Sequence, residues 1–208
     1  MAIASAMFIC RDTVRLIRTC LVMNQTLSKR KPFHSRAPTT RGPRARSFGP
    51  VADPRARVLI LGTLPSEASL SAGRYYAHPR NHFWPIMGCL VGATPDLPYE
   101  VRLERLREAR IALWDVVGDA HRRGSADSEI RRERPNDIPG LLERCPEIRC
   151  VLFNGQPALR LFRRHFPKLL EQNRLRFAVL PSTSPAHASR PFAEKLKAWR
   201  EALSEALV

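Results

Sequence analysis

Lysine is scarce in this chain. Five occur in 208 residues (Lys29, Lys31, Lys168, Lys195 and Lys197), against thirty arginines, and none lies between Lys31 and Lys168. An amine nucleophile from the middle of the sequence is therefore excluded. Cysteines number five (Cys10, Cys20, Cys89, Cys145 and Cys150), with no C-x-x-C pair. The odd count and the wide spacing argue against a disulfide framework, a zinc site and a four-cysteine iron–sulfur cluster. Reduced thiols in a cytoplasmic protein are the plain reading. No apolar run approaches the ~20 residues of a membrane span. Acids are also few, 19 against 35 Lys and Arg, for a formal net charge of +16 and a pI near 11. So basic a chain suits a polyanionic partner, nucleic acid before anionic membrane.

The charge is uneven. Residues 1–50 carry a net +9 and the rest a net +7, so the N-terminal segment inflates the total. Residues 1–23 are mildly amphipathic, with Arg11, Arg15 and Arg18 along a possible helix, which suits a transit peptide or a start codon placed too far upstream. Residues 24–56 hold five prolines with Ser, Thr, Arg and Gly and no apolar period, as in a linker. We expect residues 1–47 to be a basic N-terminal extension, disordered or added by a misplaced start codon, and 48–208 to be one domain.

Order is expected from "RVLILG" (57–62), an apolar run ending in glycine. Similar runs follow at 110–117, 148–155 and 176–181. Helical patterns lie between them, at 82–91, 99–109, 137–144 and 156–165, and a last helix spans 192–206 with Phe192, Leu196, Trp199 and Leu203 on one stripe. This alternation predicts an α/β fold with a mostly parallel sheet. Sites in such sheets lie beyond the C-terminal strand ends. Thr63–Ser66, Asp115, Asn154–Gly155 and Ser182–His187 would then converge on one mouth, together with the segment that follows the first strand.

That segment, "YYAHPRNHFWPI" (75–86), mixes four aromatics, two histidines and two prolines. Asn81 offers an amide that can position water or read a base edge. Phe83 could stack on a flat ligand or bury; Trp84 suits the core. His78 and His82 stand four residues apart, but that spacing joins one face only in a helix, which Pro79 opposes, so no metal is expected. Asp115 could be an acid or base, or a helix N-cap. In "LPSTSPAHASR" (180–190), three hydroxyls between prolines suit phosphate contacts, and Pro185 can stiffen a tip that enters a base stack.

In order, "VLILGTLPSEASL", "YYAHPRNHFW", "ALWDVV", "VLFNG" and "LPSTSPAHA" resemble the uracil-DNA glycosylase superfamily, most closely its hypoxanthine-DNA glycosylase branch. The resemblance runs from about Phe48 to the C-terminus. It implies a three-layer α/β/α sandwich around a four-stranded, mostly parallel sheet, and hydrolysis of the N-glycosidic bond of a deaminated base flipped out of DNA. Mismatch-specific uracil/thymine relatives hold a water-directing Asn where this chain has Leu64. The hypoxanthine branch is similar in using the Asn of its H-P-x-N motif, here Asn81, and the Asn of its F-N-G motif, here Asn154. Asp115 stands near the pyrimidine-reading Asn of the uracil enzymes and lacks that amide, which argues against strong uracil activity. Ala186 lies where some relatives carry an intercalating side chain, which makes His187 the candidate wedge.

The implied mechanism stacks the base on Phe83 and reads it with Asn154 and the backbone of Leu64, Pro65 and Ser66. Ser182, Thr183 and Ser184 clamp phosphate, and Asn81 directs water. The expected protein is a monofunctional, cofactor-free monomer acting on deaminated or mismatched DNA in a bacterial cytoplasm. Uracil or G:T/G:U mismatch excision and a non-catalytic DNA-binding module are the alternatives.

Overall fold

The computed structural model describes residues 7–9 and 42–207. Four parallel strands form the centre: β3 (Val58–Gly62), β4 (Ile111–Asp115), β7 (Cys150–Asn154) and β8 (Arg176–Leu180). A short strand, β1 (Met7–Ile9), pairs antiparallel with β8, so the sheet order is β1-β8-β7-β3-β4. The expected four strands are present, and β1 adds a fifth at the edge. Every residue of β3 and β4 is buried, as strands covered on both faces must be.

Around the sheet lie α1 (Glu67–Ala72), α2 (Phe83–Val91), α3 (Tyr99–Glu108), α4 (Ile138–Arg144), α5 (Gln156–His165) and α6 (Phe192–Leu207). Local chemistry sets their ends. Ser66 caps α1 by accepting from the Ser69 N–H, Asp137 caps α4 by accepting from Gly140, and Pro157 stands in the first turn of α5. Trp199 and Leu203 of the expected α6 stripe are buried, while Phe192 and Leu196 pack at its margin. Phe83 of α2 meets Trp199 edge to face, centroids 6.1 Å apart.

A second, antiparallel sheet was not expected. It joins β2 (Arg44–Arg46), β5 (Val117–His121) and β6 (Arg131–Pro135) in the order β2-β5-β6. The expected strand at 110–117 therefore breaks at Val116, between β4 and β5. This small sheet also moves the domain boundary. Residues 42–47, assigned above to the extension, belong to the folded body: Ala45 is buried and Arg44–Arg46 pair with β5. Val51 is buried too and bridges Leu113. A three-residue edge strand has too few apolar positions to show a period, so backbone pairing alone marks it. The amphipathic stretch around Arg11–Arg18 lies outside the described residues. Among those described, no helix is long and apolar enough to cross a membrane.

In the order β8-β7-β3-β4, the chain leaves β3 first toward β4 and later returns on the other side as β7. Crossovers thus diverge at β3. A crevice opens where they part, beyond the carboxyl ends of β3, β4 and β7.

Candidate active site

Each strand end delivers one piece of the pocket in that crevice. It is lined by Gly62–Ser66 after β3, Asp115 at the end of β4, Asn154 at the end of β7 and Ser182–Ser184 after β8. Tyr75, Tyr76 and Asn81 come from the turn before α2, and Ser125 and Asp127 from the small sheet's hairpin. The cavity volume is about 90 Å³, and the pocket opens to solvent. The predicted convergence of four dispersed segments is what the fold produces.

The loop after β3 is held by a residue that the sequence did not single out. Arg122, only 3% exposed, donates to the carbonyls of Leu64, at 3.3 Å, and Pro65. Arg122 thereby satisfies both carbonyls and fixes the course of the loop. The Leu64 side chain is buried with Val117, Ala120 and Ile130, so it acts as packing. Ser66 is occupied as the cap of α1. Burial lowers the Arg122 pKa, and the nearby carboxylates of Asp127 and Asp115 oppose that shift. Arg122→Met, which keeps most of the stem and loses both bonds, is expected to cost about 3 kcal/mol of unfolding free energy, because two buried carbonyls lose charged donors. Urea denaturation measures it, with the change in midpoint at constant slope.

Phe83 requires a correction. It is fully buried and does not line the pocket. The pocket instead has Tyr76, whose ring stacks on Phe83 with centroids 4.0 Å apart and planes 19° from parallel. Phe83 backs the wall and Tyr76 presents it. Helical phase explains the difference: Phe83 is the first residue of α2 and points inward with Trp84, whose Nε1 donates to the Tyr75 carbonyl. Tyr76 adopts φ +53°, a region that costs a bulky residue on the order of 1–3 kcal/mol. Strain of that kind persists where the surrounding structure fixes a side chain.

Asn154 does much of that fixing. Its Nδ2 donates to the Tyr76 hydroxyl at 3.1 Å and to Thr183 Oγ1 at 2.9 Å, and its Oδ1 accepts from the Thr183 N–H at 2.9 Å. Both amide hydrogens are engaged, so in this arrangement Asn154 sets the wall. Thr183 likewise is fully buried and faces inward, where a phosphate clamp was expected. Its backbone carbonyl accepts from the His82 N–H at 3.0 Å, which ties this loop to the Asn81 turn. The hydroxyls of Ser182 and Ser184 accept from the N–H groups of Ser184 and Ala186 and shape the turn. Pro185–His187 form a short 3-10 tip, with Ala186 and His187 exposed. Beneath it, buried Lys195 donates to the His187 carbonyl at 2.9 Å, and Trp199 Nε1 to the Pro181 carbonyl at 3.0 Å. Gly155, at φ +97°, lets the loop approach: a Cβ there would lie 2.9 Å from the Ser182 Cβ.

Asn81 lines the pocket. Its Oδ1 accepts from the Phe83 N–H at 2.9 Å, which leaves a second lone pair on that oxygen for another donor. His78 and His82 sit in the turn, outside any helix. His78 Nδ1 accepts from the Arg80 N–H, and His82 packs edge to face on Phe192. Among the described residues no cluster of three or more metal-ligating side chains occurs.

Asp115 is not a helix cap. It ends β4 opposite Gly62, is 4% exposed, and accepts from the Ser47 hydroxyl at 3.0 Å through Oδ2. Burial lifts its pKa to about 7; the Ser47 donor and Arg122 pull down, and Asp127 pushes up. Asp127 is also raised by burial, but Thr63 donates to it at 2.5 Å and Arg122 counters its charge. Ser47, Arg122, Tyr76 and Asp127 are the site residues that the sequence reading missed. Ser47 and Arg122 stood in segments with no motif, and Asp127 is brought in only by the second sheet.

The family model described as the uracil DNA glycosylase superfamily matches residues 49–207. A protein named hypoxanthine DNA glycosylase from Methanosarcina acetivorans is 40% identical over 143 residues, 68% of this chain and 87% of its own. Another of that name from Methanosarcina barkeri is 33% identical over 156 residues, 74% of this chain and 95% of its own. A solution NMR structure of a uracil DNA glycosylase candidate from M. acetivorans superposes with a TM-score of 0.65 at 36% identity, covering 77% of this chain and 99% of its own.

Proposed function

The chain belongs to the uracil DNA glycosylase superfamily, and we propose that it is a monofunctional DNA glycosylase that releases hypoxanthine from deoxyinosine in DNA. The observation that supports this reading is the pocket itself: an aromatic wall at Tyr76, the Asn81 amide and the buried Asp115 carboxyl converge at the switch point of the sheet. The names borne by the two Methanosarcina relatives favour hypoxanthine.

Exposed Arg74, Arg80, Arg123 and Arg190 lie on or beside the segments that form the mouth and can engage phosphates. The tip at Pro185–His187 enters the base stack, with His187 as the wedge. A base that pairs poorly unstacks at lower cost, which contributes to selection. The flipped base lies against Tyr76, backed by Phe83, and backbone N–H groups of the Thr63–Ser66 loop stabilise charge on the departing ring. Asn81 Oδ1, with its free lone pair, holds the attacking water at the sugar carbon. Among the described residues no lysine lines the pocket, which favours water as the nucleophile and an abasic site as the product. Among the described residues the free thiols Cys89, Cys145 and Cys150 suit a cytoplasmic protein.

The test is base release from duplexes carrying one deoxyinosine, deoxyxanthosine, deoxyuridine or G:T mismatch, with alkali cleavage of the product. Strand breaks at deoxyinosine that depend on alkali are expected. Release of uracil alone would move the chain to another branch of the family. Tight binding without any release would leave a DNA-binding module.

A further inference from the structure

Two carboxyls line this pocket, and they are held differently. Asp127 is anchored by Thr63 and faces Arg122. Asp115 holds one donor, Ser47 Oγ on Oδ2, and Oδ1 has no hydrogen-bond partner among the described residues. That oxygen lies over Gly62, where a Cβ would stand 2.5 Å from it and 3.2 Å from the Tyr76 hydroxyl. Glycine at 62 thus opens the space that lets the carboxyl reach beside the aromatic wall. A 96% buried carboxyl with a free oxygen, next to the surface on which a base would lie, is placed to act on that base.

We propose that Asp115 is the general acid of the reaction, protonating a ring nitrogen of the departing purine. This rests on the hypoxanthine reading above. Hypoxanthine leaves as an anion unless it gains a proton, and it has ring nitrogens that accept one. As the C1′–N9 bond breaks, its electron pair stays on the base and the Asp115 proton moves to the ring. Water forms the new C1′–O bond and loses one proton to solvent, from which Asp115 is reprotonated. The products are neutral hypoxanthine and an abasic deoxyribose, and no oxidant or metal enters.

The surroundings keep the acid form available near neutrality. Burial is the main cause, and the Asp127 carboxylate adds to it; Arg122 and the Ser47 hydroxyl oppose. Tyr75 and Tyr76, which also face Asp115, are themselves raised and stay neutral. Two carboxyls with environments that separate their roles are a recurring arrangement for acid catalysis at neutral pH.

The experiment is single-turnover hypoxanthine release from a deoxyinosine duplex between pH 5.5 and 9, for the wild type and Asp115→Asn. The wild-type rate is expected to be flat below about pH 7 and to fall about tenfold per pH unit above it. Asp115→Asn is expected to lose about a hundredfold at pH 6 and to lose that pH dependence. A wild-type rate independent of pH, or a variant that keeps the rate and the profile, overturns the proposal. The wild-type profile stands alone if the variant does not fold. No hypoxanthine release by the wild type at any pH would instead sink the functional reading beneath it.

Discussion

Asn81→Ala is expected to lower the single-turnover rate of hypoxanthine release on the order of 10²–10³-fold, with DNA affinity unchanged. The magnitude is that of losing one oriented polar group at the reacting centre. Affinity is spared because the arginines around the mouth are untouched. The amide also accepts from the Phe83 N–H at 2.9 Å. Losing that bond costs about 1 kcal/mol, or about 2–4 °C in melting temperature for a domain of this size. Asn81→Asp keeps an oxygen for both the Phe83 N–H and the water, so it should melt with the wild type and retain most of the rate. A rate for Asn81→Ala within about threefold of wild type would remove Asn81 from the chemistry.

The four parallel strands and most helices lie within about two residues of where the sequence predicts them, because both signals are local. Buried parallel strands are continuous apolar runs, and the helices between them keep a 3.6-residue period. The site was legible to the extent that its residues follow strand ends: Asn154 and Asp115 stand at the carboxyl ends of β7 and β4. What was not legible depends on direction. Nothing local says that Phe83 turns inward and Tyr76 outward, since both belong to one aromatic-rich stretch. Thr183 looked like its neighbours Ser182 and Ser184 until Asn154 claimed it from across the sheet. The small sheet was missed because β2 has three residues and β6 reads "RRERP", with no apolar alternation. Its consequence reaches the centre, since the segment after β2 carries Ser47 to Asp115 and the segment after β5 carries Arg122 to the Leu64 and Pro65 carbonyls.

The second large effect is expected at Asn154. Alanine there removes three hydrogen bonds at once and leaves the buried Thr183 N–H without its acceptor. An unsatisfied buried donor costs about 1–3 kcal/mol, and with the two lost hydroxyl contacts a fall of about 5–10 °C in melting temperature follows. Activity is expected to fall at least as far as in Asn81→Ala, since both the Tyr76 wall and the Ser182–Ser184 loop lose their common anchor. Tyr76→Phe removes one of the three bonds and keeps the stack on Phe83, so its own loss should be small. The two substitutions form a cycle. If Asn154 works by holding Tyr76 and Thr183, the double variant should match Asn154→Ala in both rate and melting temperature. If the amide lets go of the tyrosine to contact the base, Tyr76→Phe frees one N–H for that contact. Tyr76→Phe should then release hypoxanthine at the wild-type rate or faster, and that gain should vanish in the double variant.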